Sequence, residues 1–436
     1  TNNTIGGSAP GAGNVTSGNS SDGVQIEGET TDGNVIKGNR IGVNAAGTAA
    51  MGNLEDGILI NAGADNTTIG GSGANDGNWI AATVYFGIEL FGSSTGTVIQ
   101  GNRIGTDLAG TANWGTGESG ILISDGAASS LVGGTGAGEG NVIAYSGQTN
   151  PTYTAGVALL TTSGNSNAIL GNQIYNSVGV GIDLANNGVT ANDNNDADSG
   201  ANNLQNFPVL TAAQPIAGGT QVTITGSFSS TASSYFRLEF FANAAKDSSG
   251  YGEGQRYLGF VNVVTNASGN ATINNTLTAA VATGEFISAT ATKSNSGYTA
   301  YTDTSEFSAV VVANNAPTLV DTALSISQKE DDPVPTGAVG TLTGTLIGAL
   351  TGGISDVDAG ALKGIAVTAA VQTSGTWYYS TDDGGTWSTL GTPSTAASRL
   401  LADDGSTRLY FKPNADVNGT RAGVLTLRAW DRSTGT

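Results

Sequence analysis

The stretch "VIKGNRIG", Val35–Gly42, returns as "VIQGNRIG", Val98–Gly105, 63 residues further on. Self-similarity at a fixed period marks a chain built from stacked units, each too small to bury its own apolar face. Around these copies, three families of short strand recur as far as residue 184. One reads glycine, β-branched, any residue, aliphatic: "GVQI" at Gly23, "GILI" at Gly57, "GIEL" at Gly87, "GILI" at Gly120, "GVAL" at Gly156 and "GIDL" at Gly181, spaced by 25 to 36 residues. A second alternates "TIGG" (Thr4, Thr68) with "NVI" or "TVI" (Asn34, Thr97). The third places Gly-Asn ahead of an aliphatic residue or Arg-Ile, beginning at Gly13, Gly38, Gly77, Gly101, Gly140 and Gly171.

Three strands per period, with aliphatics on alternate positions and Gly or Asn where the backbone must turn through left-handed angles, fit one coil of a parallel β-helix. Stacking predicts an internal apolar ladder of Ile26, Ile60, Leu90, Ile123, Leu159 and Leu184. It also predicts a corner ladder of Asn14, Asn39, Asn78, Asn102, Asn141 and Asn172, with amides bonding from coil to coil. Two coil types alternate, which sets the long period: one carries the insertion Val43–Asn53 or Thr106–Gly117, the other carries "TIGG". Leucine-rich and propeller signatures are absent.

The motifs "GNRIGTDLAGTA", "TIGG" and "GNVI" resemble the right-handed parallel β-helix repeat proteins of bacterial surfaces, as does the exit stretch "GIDLANNGVTANDNNDADSGANNLQNFPVL". The resemblance covers about residues 1–210. Beyond Pro208 the pattern becomes alternating strands separated by turns, such as "QVTITGSF", "YFRLEFFAN" and "GEFISATAT", at the spacing of a β-sandwich. Tryptophan is missing from this part. At "NNAPTL" another all-β module begins, which resembles the cadherin-like repeats of large bacterial adhesins. The expected fold is therefore all-β: a right-handed parallel β-helix over 1–207, then two β-sandwich domains, immunoglobulin-like or fibronectin-like over 208–313 and cadherin-like over 314–436, the last truncated at its C-terminal end. The cadherin-like resemblance implies a calcium site drawing on Asn314, Asn315, Glu330, Asp356 and Asp358, although the cadherin "D-R-E" motif is not present.

Fifteen basic against 35 acidic residues give a net charge of −20, which argues against nucleic acid and anionic membrane as partners. No apolar run approaches the ~18 to 20 residues that span a bilayer. Cysteine and histidine are absent, so thiolate chemistry, a Ser-His triad and zinc are excluded, and hard oxygen ligands favour calcium. The loop "NDNNDADSG" places oxygens at Asn194, Asp196 and Asp198 on alternate positions with Gly200 to turn the chain. Gln205 stands where an EF-hand has its bidentate Glu.

Glycoside hydrolysis needs two carboxylates about 5 to 10 Å apart. The outward carboxylates of the helix, Glu27, Asp56, Glu89, Asp107 and Asp183, read as scattered with no stacked pair. Arg40 and Arg103 fall two coils apart and read as corner residues. Trp79 reads as core and Trp114 as a surface contact. The glycine-rich "GGTGAGEGN" opens no helix and is not a nucleotide loop.

The function expected from these features is an extracellular structural or adhesive protein, secreted or on a bacterial cell surface, and not an enzyme. It would be a rod-like segment of an adhesin, or of a fibre assembled from like subunits, stiffened by calcium. Its partners would be other copies of itself or further modules of a longer chain, and a surface glycan. The alternative is a carbohydrate-active β-helix enzyme, lyase or hydrolase, or a noncatalytic glycan-binding protein.

Overall fold

Every strand between Thr4 and Leu184 pairs with its counterpart one coil away, giving three parallel sheets of six strands each. The computed structural model describes residues 1–320, 324–329, 335, 344–358 and 360–432, divided into two units, Thr1–Ala313 and Asn314–Thr436. The first sheet runs from Thr4–Gly6 to Ala168–Leu170, the second from Val15–Thr16 to Gln173–Tyr175, and the third from Val24–Glu27 to Ile182–Leu184. This is a parallel β-solenoid.

Inside it, the predicted aliphatic ladder stacks rung by rung: Ile26 on Ile60, Ile60 on Leu90, Leu90 on Ile123, Ile123 on Leu159 and Leu159 on Leu184. In the first sheet a second ladder runs Ile5, Ile36, Ile69, Ile99, Val132, Ile169. These side chains meet in one core. Each buried Ile or Leu contributes about 1.5 to 3 kcal/mol relative to exposure. Repeating the same small set of aliphatics is what lets such short strands form a stable element.

The corner asparagines form the other predicted ladder. Asn39 donates its backbone N–H (3.0 Å) and its Nδ2–H (2.9 Å) to Oδ1 of Asn78, and the remaining Nδ2–H to the carbonyl of Ile5. Asn14, Asn78, Asn102 and Asn141 repeat the double donation to the next coil, ending on Asn172. The preceding glycine is required by space as well as by angle. Gly38 has φ 68°, and a Cβ there would overlap the carbonyl oxygen of Gly7.

An exposed sheet edge is an aggregation liability, and the C-terminal edge of the solenoid is closed by the segment that follows. Glu253 accepts the backbone N–H groups of Asn176 and Ser177. Glu306 accepts those of Leu184 and Thr190, Glu239 accepts that of Gly171, and Asp303 accepts that of Ser166. Phe241 and Phe307 join the solenoid core itself. Asn202 extends the corner device into the exit segment by accepting from Asn167 N–H.

The closing segment consists of two antiparallel sheets. One has the strands Val209–Ile216, Gln221–Ser229 and Asn270–Leu277; the other has Arg256–Val264, Tyr235–Asn243, Phe286–Ser294 and Tyr301–Thr304, with Val311–Val312 alongside. Their facing residues share one core, including Val222, Ile224, Phe236, Leu238 and Ile287. Tyr235–Asn243 is buried on almost every residue because alternate side chains serve this core and the solenoid end. In the second unit, Thr345–Leu346, Arg408–Pro413, Gly375–Ser380 and Ser388–Thr389 make one antiparallel sheet, while Arg399–Ala402, Gly364–Ala370 and Leu425–Trp430 make another. Ile347, Ile365, Val367, Trp377 and Leu409 lie in its core.

Candidate functional site

The outward side chains of the third sheet form a column of Gln25, Leu59, Glu89, Leu122, Ala158 and Asp183. In the corner that leads into this sheet, Asp22 accepts the backbone N–H of Asp56 (2.9 Å), and Asp56 accepts that of Phe86 (2.9 Å). Asp56 is thereby held at the corner, buried, and its carboxyl hydrogen-bonds Glu89. Burial, reinforced by the Glu89 charge, pushes Asp56 up to about 9. Burial also raises Glu89, helped by the charges of Asp22 and Glu118, and raises Glu118, which is held by Asn150.

Carboxylates that read as scattered are thus a contacting pair with two more acids close by. Comparison of strand positions alone hides the pair, because Asp56 comes from a corner and Glu89 from the neighbouring coil's strand. Two carboxyls in hydrogen-bond contact cannot both ionise freely, so the pair keeps a proton well above the ordinary carboxylate range. Such a pair is closer than the ~5 Å used by retaining glycosidases. The charges acting on Asp56 and Glu89 are carboxylates, with no arginine among them. The pair can store or donate a proton, but an acid and nucleophile at hydrolase spacing are not assembled from it. Exposed apolar side chains share this corner: Leu54 and Val84 on adjacent coils, with Tyr85 45% exposed, and Phe91 at the far end of the same strand.

Asp183, at the end of the column, is occupied differently. It accepts the backbone N–H groups of Asn187 and Gly188 and anchors the exit loop beside an open depression of about 380 Å³. Asp107 pins its own insertion by accepting from Thr111 and Ala112.

Arg40 and Arg103 lie two coils apart, as expected, on the outer face of the second sheet, with Trp79 in register between them. Trp79 therefore occupies an outward position and is not part of the apolar ladder. It is nevertheless buried, because Trp114 from the insertion stacks on it at 5.3 Å and 16° and its Nε1–H bonds the Thr106 carbonyl. Trp114 packs against the protein as a half-buried lid, where the sequence predicts a surface contact.

In the exit loop, Asp193, Asp196 and Asp198 bring carboxylate oxygens within 4.8 Å of one another. Asp196 and Asp198 are two of the expected ligands. The third is Asp193, while Asn194 is exposed. The alternate-position rule assumes an extended loop, but Asn195 and Asp196 have left-handed φ of 62° and 56°, which swings Asp193 inward. Asp196 is engaged by Asn206 N–H and Ser230 Oγ–H. Burial and the neighbouring aspartates raise Asp198, and its Oδ1 is buried without a hydrogen-bond partner. Three oxygens of this hardness suit a divalent cation such as calcium, with further ligands from water or backbone.

In the second unit, Asn315 donates its backbone N–H and Nδ2–H to Asp358 (2.8 and 2.7 Å), Asp358 N–H donates to Asp356, and Asn314 donates to Asp431. Asn315, Asp356 and Asp358 are thus brought together. Glu330 lies outside the described residues.

No family model matches this chain, and no curated protein matches it. Among solved structures the chain is similar to full-length tailspike protein 2 from Escherichia coli O157:H7 bacteriophage CAB120, at 10% sequence identity and a TM-score of 0.20, over 64% of this chain and 45% of that one. At that identity and score, nothing about the tailspike's activity carries over.

Proposed function

We propose that this chain is a rigid segment of an extracellular bacterial surface protein, adhesive or structural, in which a β-solenoid is followed by immunoglobulin-like and cadherin-like modules. The observation that supports it best is the unbroken Asn14-to-Asn172 ladder over a continuous aliphatic core, locked at its C-terminal end by Glu239, Glu253 and Glu306. Such a construction favours stiffness and durability over motion. Among the described residues no helix is long and apolar enough to cross a membrane. Calcium in the Asp193, Asp196, Asp198 loop, and beside Asp356 and Asp358, would neutralise clustered carboxylates and stiffen both places. Electron microscopy and thermal melts with calcium and with excess chelator test the reading together. Elongated particles that melt several degrees lower in chelator are the expected result. Compact particles with identical melts would overturn both the rod and the metal.

A second reading, glycan contact, is favoured by the corner where exposed Tyr85 lies between Glu55 and Glu118 on successive coils, beside Asp56 and Glu89. An exposed aromatic face with the half-buried carboxyls of Glu55 and Glu89 nearby suits stacking on a sugar with hydrogen bonds to its hydroxyls. Surface polysaccharides offered to the protein and to Tyr85→Ala would separate the readings, since retention of a polysaccharide by the first and not the second supports contact at this corner.

A further inference from the structure

The dipeptide Asn-Gly occurs at two places in the chain, Asn187 with Gly188 and Asn418 with Gly419. In both, the glycine has φ 82° and the asparagine is exposed. Their surroundings differ. Gly419 lies in an exposed connection, whereas Gly188 donates its backbone N–H to Oδ2 of Asp183 at 3.1 Å, and Asn187 donates its own to Oδ1 at 3.0 Å. Asp183 is buried, and burial raises its carboxyl above the ordinary value, which makes it a stronger proton acceptor. Left-handed φ at Ala185 and Asn186, 78° and 53°, wraps the loop around this carboxylate. Asn186 is tied through its Nδ2–H to the Thr152 carbonyl (3.0 Å), while Asn187 faces solvent.

We propose that Asn187 is a self-modification site, converted to aspartate and isoaspartate through a cyclic imide closed by the backbone nitrogen of Gly188, with the Asp183 carboxylate as the base. The Gly188 nitrogen bonds to Cγ of Asn187 while its proton passes to Oδ2 of Asp183. The bond between Cγ and Nδ2 then breaks, and Nδ2 leaves as ammonia with that proton. Water adds to one carbonyl of the imide and the ring opens there, giving aspartate from one side and isoaspartate from the other. Glycine has no Cβ to crowd the attacking nitrogen, and the space around Gly188 is open: a Cβ there would meet nothing within 4 Å. The product sets a second carboxylate beside Asp183, at the depression of about 380 Å³ that Asp247 also lines. In isoaspartate the main chain runs through the former side chain and is longer by one carbon, so the two N–H groups no longer match the two oxygens of Asp183. Glu306 holds Leu184 and Thr190 on either side of this loop. Modification therefore loosens the capped end of the solenoid from within residues 185–190.

The test incubates the full chain at about pH 7 and about pH 9 and follows, by mass spectrometry of protease digests, the exchange of amide for acid at Asn187 and at Asn418 in the same samples. Asn187 reacts about tenfold faster than Asn418 at the lower pH. Its rate climbs less with pH, because an ionised carboxylate serves where Asn418 depends on hydroxide. Asp183→Asn brings Asn187 down to the rate of Asn418, and in the unsubstituted chain amide exchange across 185–190 quickens as isoaspartate accumulates. Slower reaction at Asn187 than at Asn418 would overturn the proposal and show that the hydrogen bonds to Asp183 shield the peptide nitrogen. Equal rates with an equal climb would overturn Asp183 as the base.

Discussion

Asn78 gives both its backbone N–H, at 3.0 Å, and its Nδ2–H, at 2.9 Å, to the Oδ1 of Asn102. Asn102 in turn donates to Asn141 and to the Ile69 carbonyl. A side chain here must accept twice and donate twice while almost wholly buried, and only the primary amide of this length does so. Asn102→Ala strands two donors of Asn78 and leaves the Oδ1 of Asn141 with one of its two hydrogen bonds. With about 1 to 3 kcal/mol for each of the two donors left unsatisfied, the expected loss is about 2 to 6 kcal/mol, read as a lower urea midpoint. Asn102→Asp should be worse, because it removes the Nδ2 donors and buries a charge. Midpoints that match the unsubstituted protein would mean that water reaches the corner.

The capped end predicts a pH dependence. Burial pushes Glu253 up to about 7 and Glu306 up to about 8, against an ordinary value of 4.5. The folded protein thus holds protons that the unfolded chain releases. Their stabilising contribution is complete below about pH 4.5 and is lost as pH rises through 7 and then 8. The melting temperature of the Thr1–Ala313 part should therefore fall between about pH 4.5 and 8, and Glu306→Gln should flatten the upper part of that fall. A profile that stays flat over this range would show that the backbone N–H groups of Leu184 and Thr190 hold the carboxylate ionised.

The solenoid was legible because its determinants are local and repeated: a glycine that alone fits the space at Gly38, an aliphatic on inward positions of coil after coil and an asparagine at one corner. The C-terminal cap was not. Glu253 and Glu306 meet Asn176 and Leu184 across 77 and 122 residues of chain, and nothing in their own neighbourhoods marks them as buried. The carboxyl pair was missed because strand alignment compares like positions, whereas Asp56 and Glu89 are unlike positions on adjacent coils. In the exit loop the two left-handed residues, Asn195 and Asp196, replaced Asn194 by Asp193, a change of backbone that alternation of residue types does not encode.

Trp114 covering Trp79 predicts that the Thr106–Gly117 insertion is held by that stack. An offset aromatic pair contributes about 0.5 to 1.5 kcal/mol beyond the area it buries. Trp114→Ala should therefore leave the sheets intact but expose the insertion, so that limited proteolysis cuts within it while the chain retains its β-sheet circular dichroism. Resistance equal to that of the unsubstituted protein would show that the Asp107 hydrogen bonds to Thr111 and Ala112 suffice to hold the loop.

The Asp56–Glu89 pair predicts a stabilising substitution. Asp56 has two structural duties, accepting from Phe86 N–H and meeting Glu89. An asparagine in its place would fulfil both, since its Oδ1 accepts and its Nδ2–H donates to the Glu89 carboxyl. Asp56 is raised from 3.8 to about 9, so the folded protein must take up a proton that the unfolded chain does not hold anywhere between those values. That requirement costs nothing below pH 3.8 and grows as pH rises toward 9. Asp56→Asn should thus raise the melting temperature at pH 8 while leaving it nearly unchanged at pH 4, a difference read from two melts of each protein. If selection had retained this pair for rigidity alone, so simple an improvement should not be available. A lower melting temperature at pH 8 would show instead that the shared proton binds the two coils more tightly than an amide can.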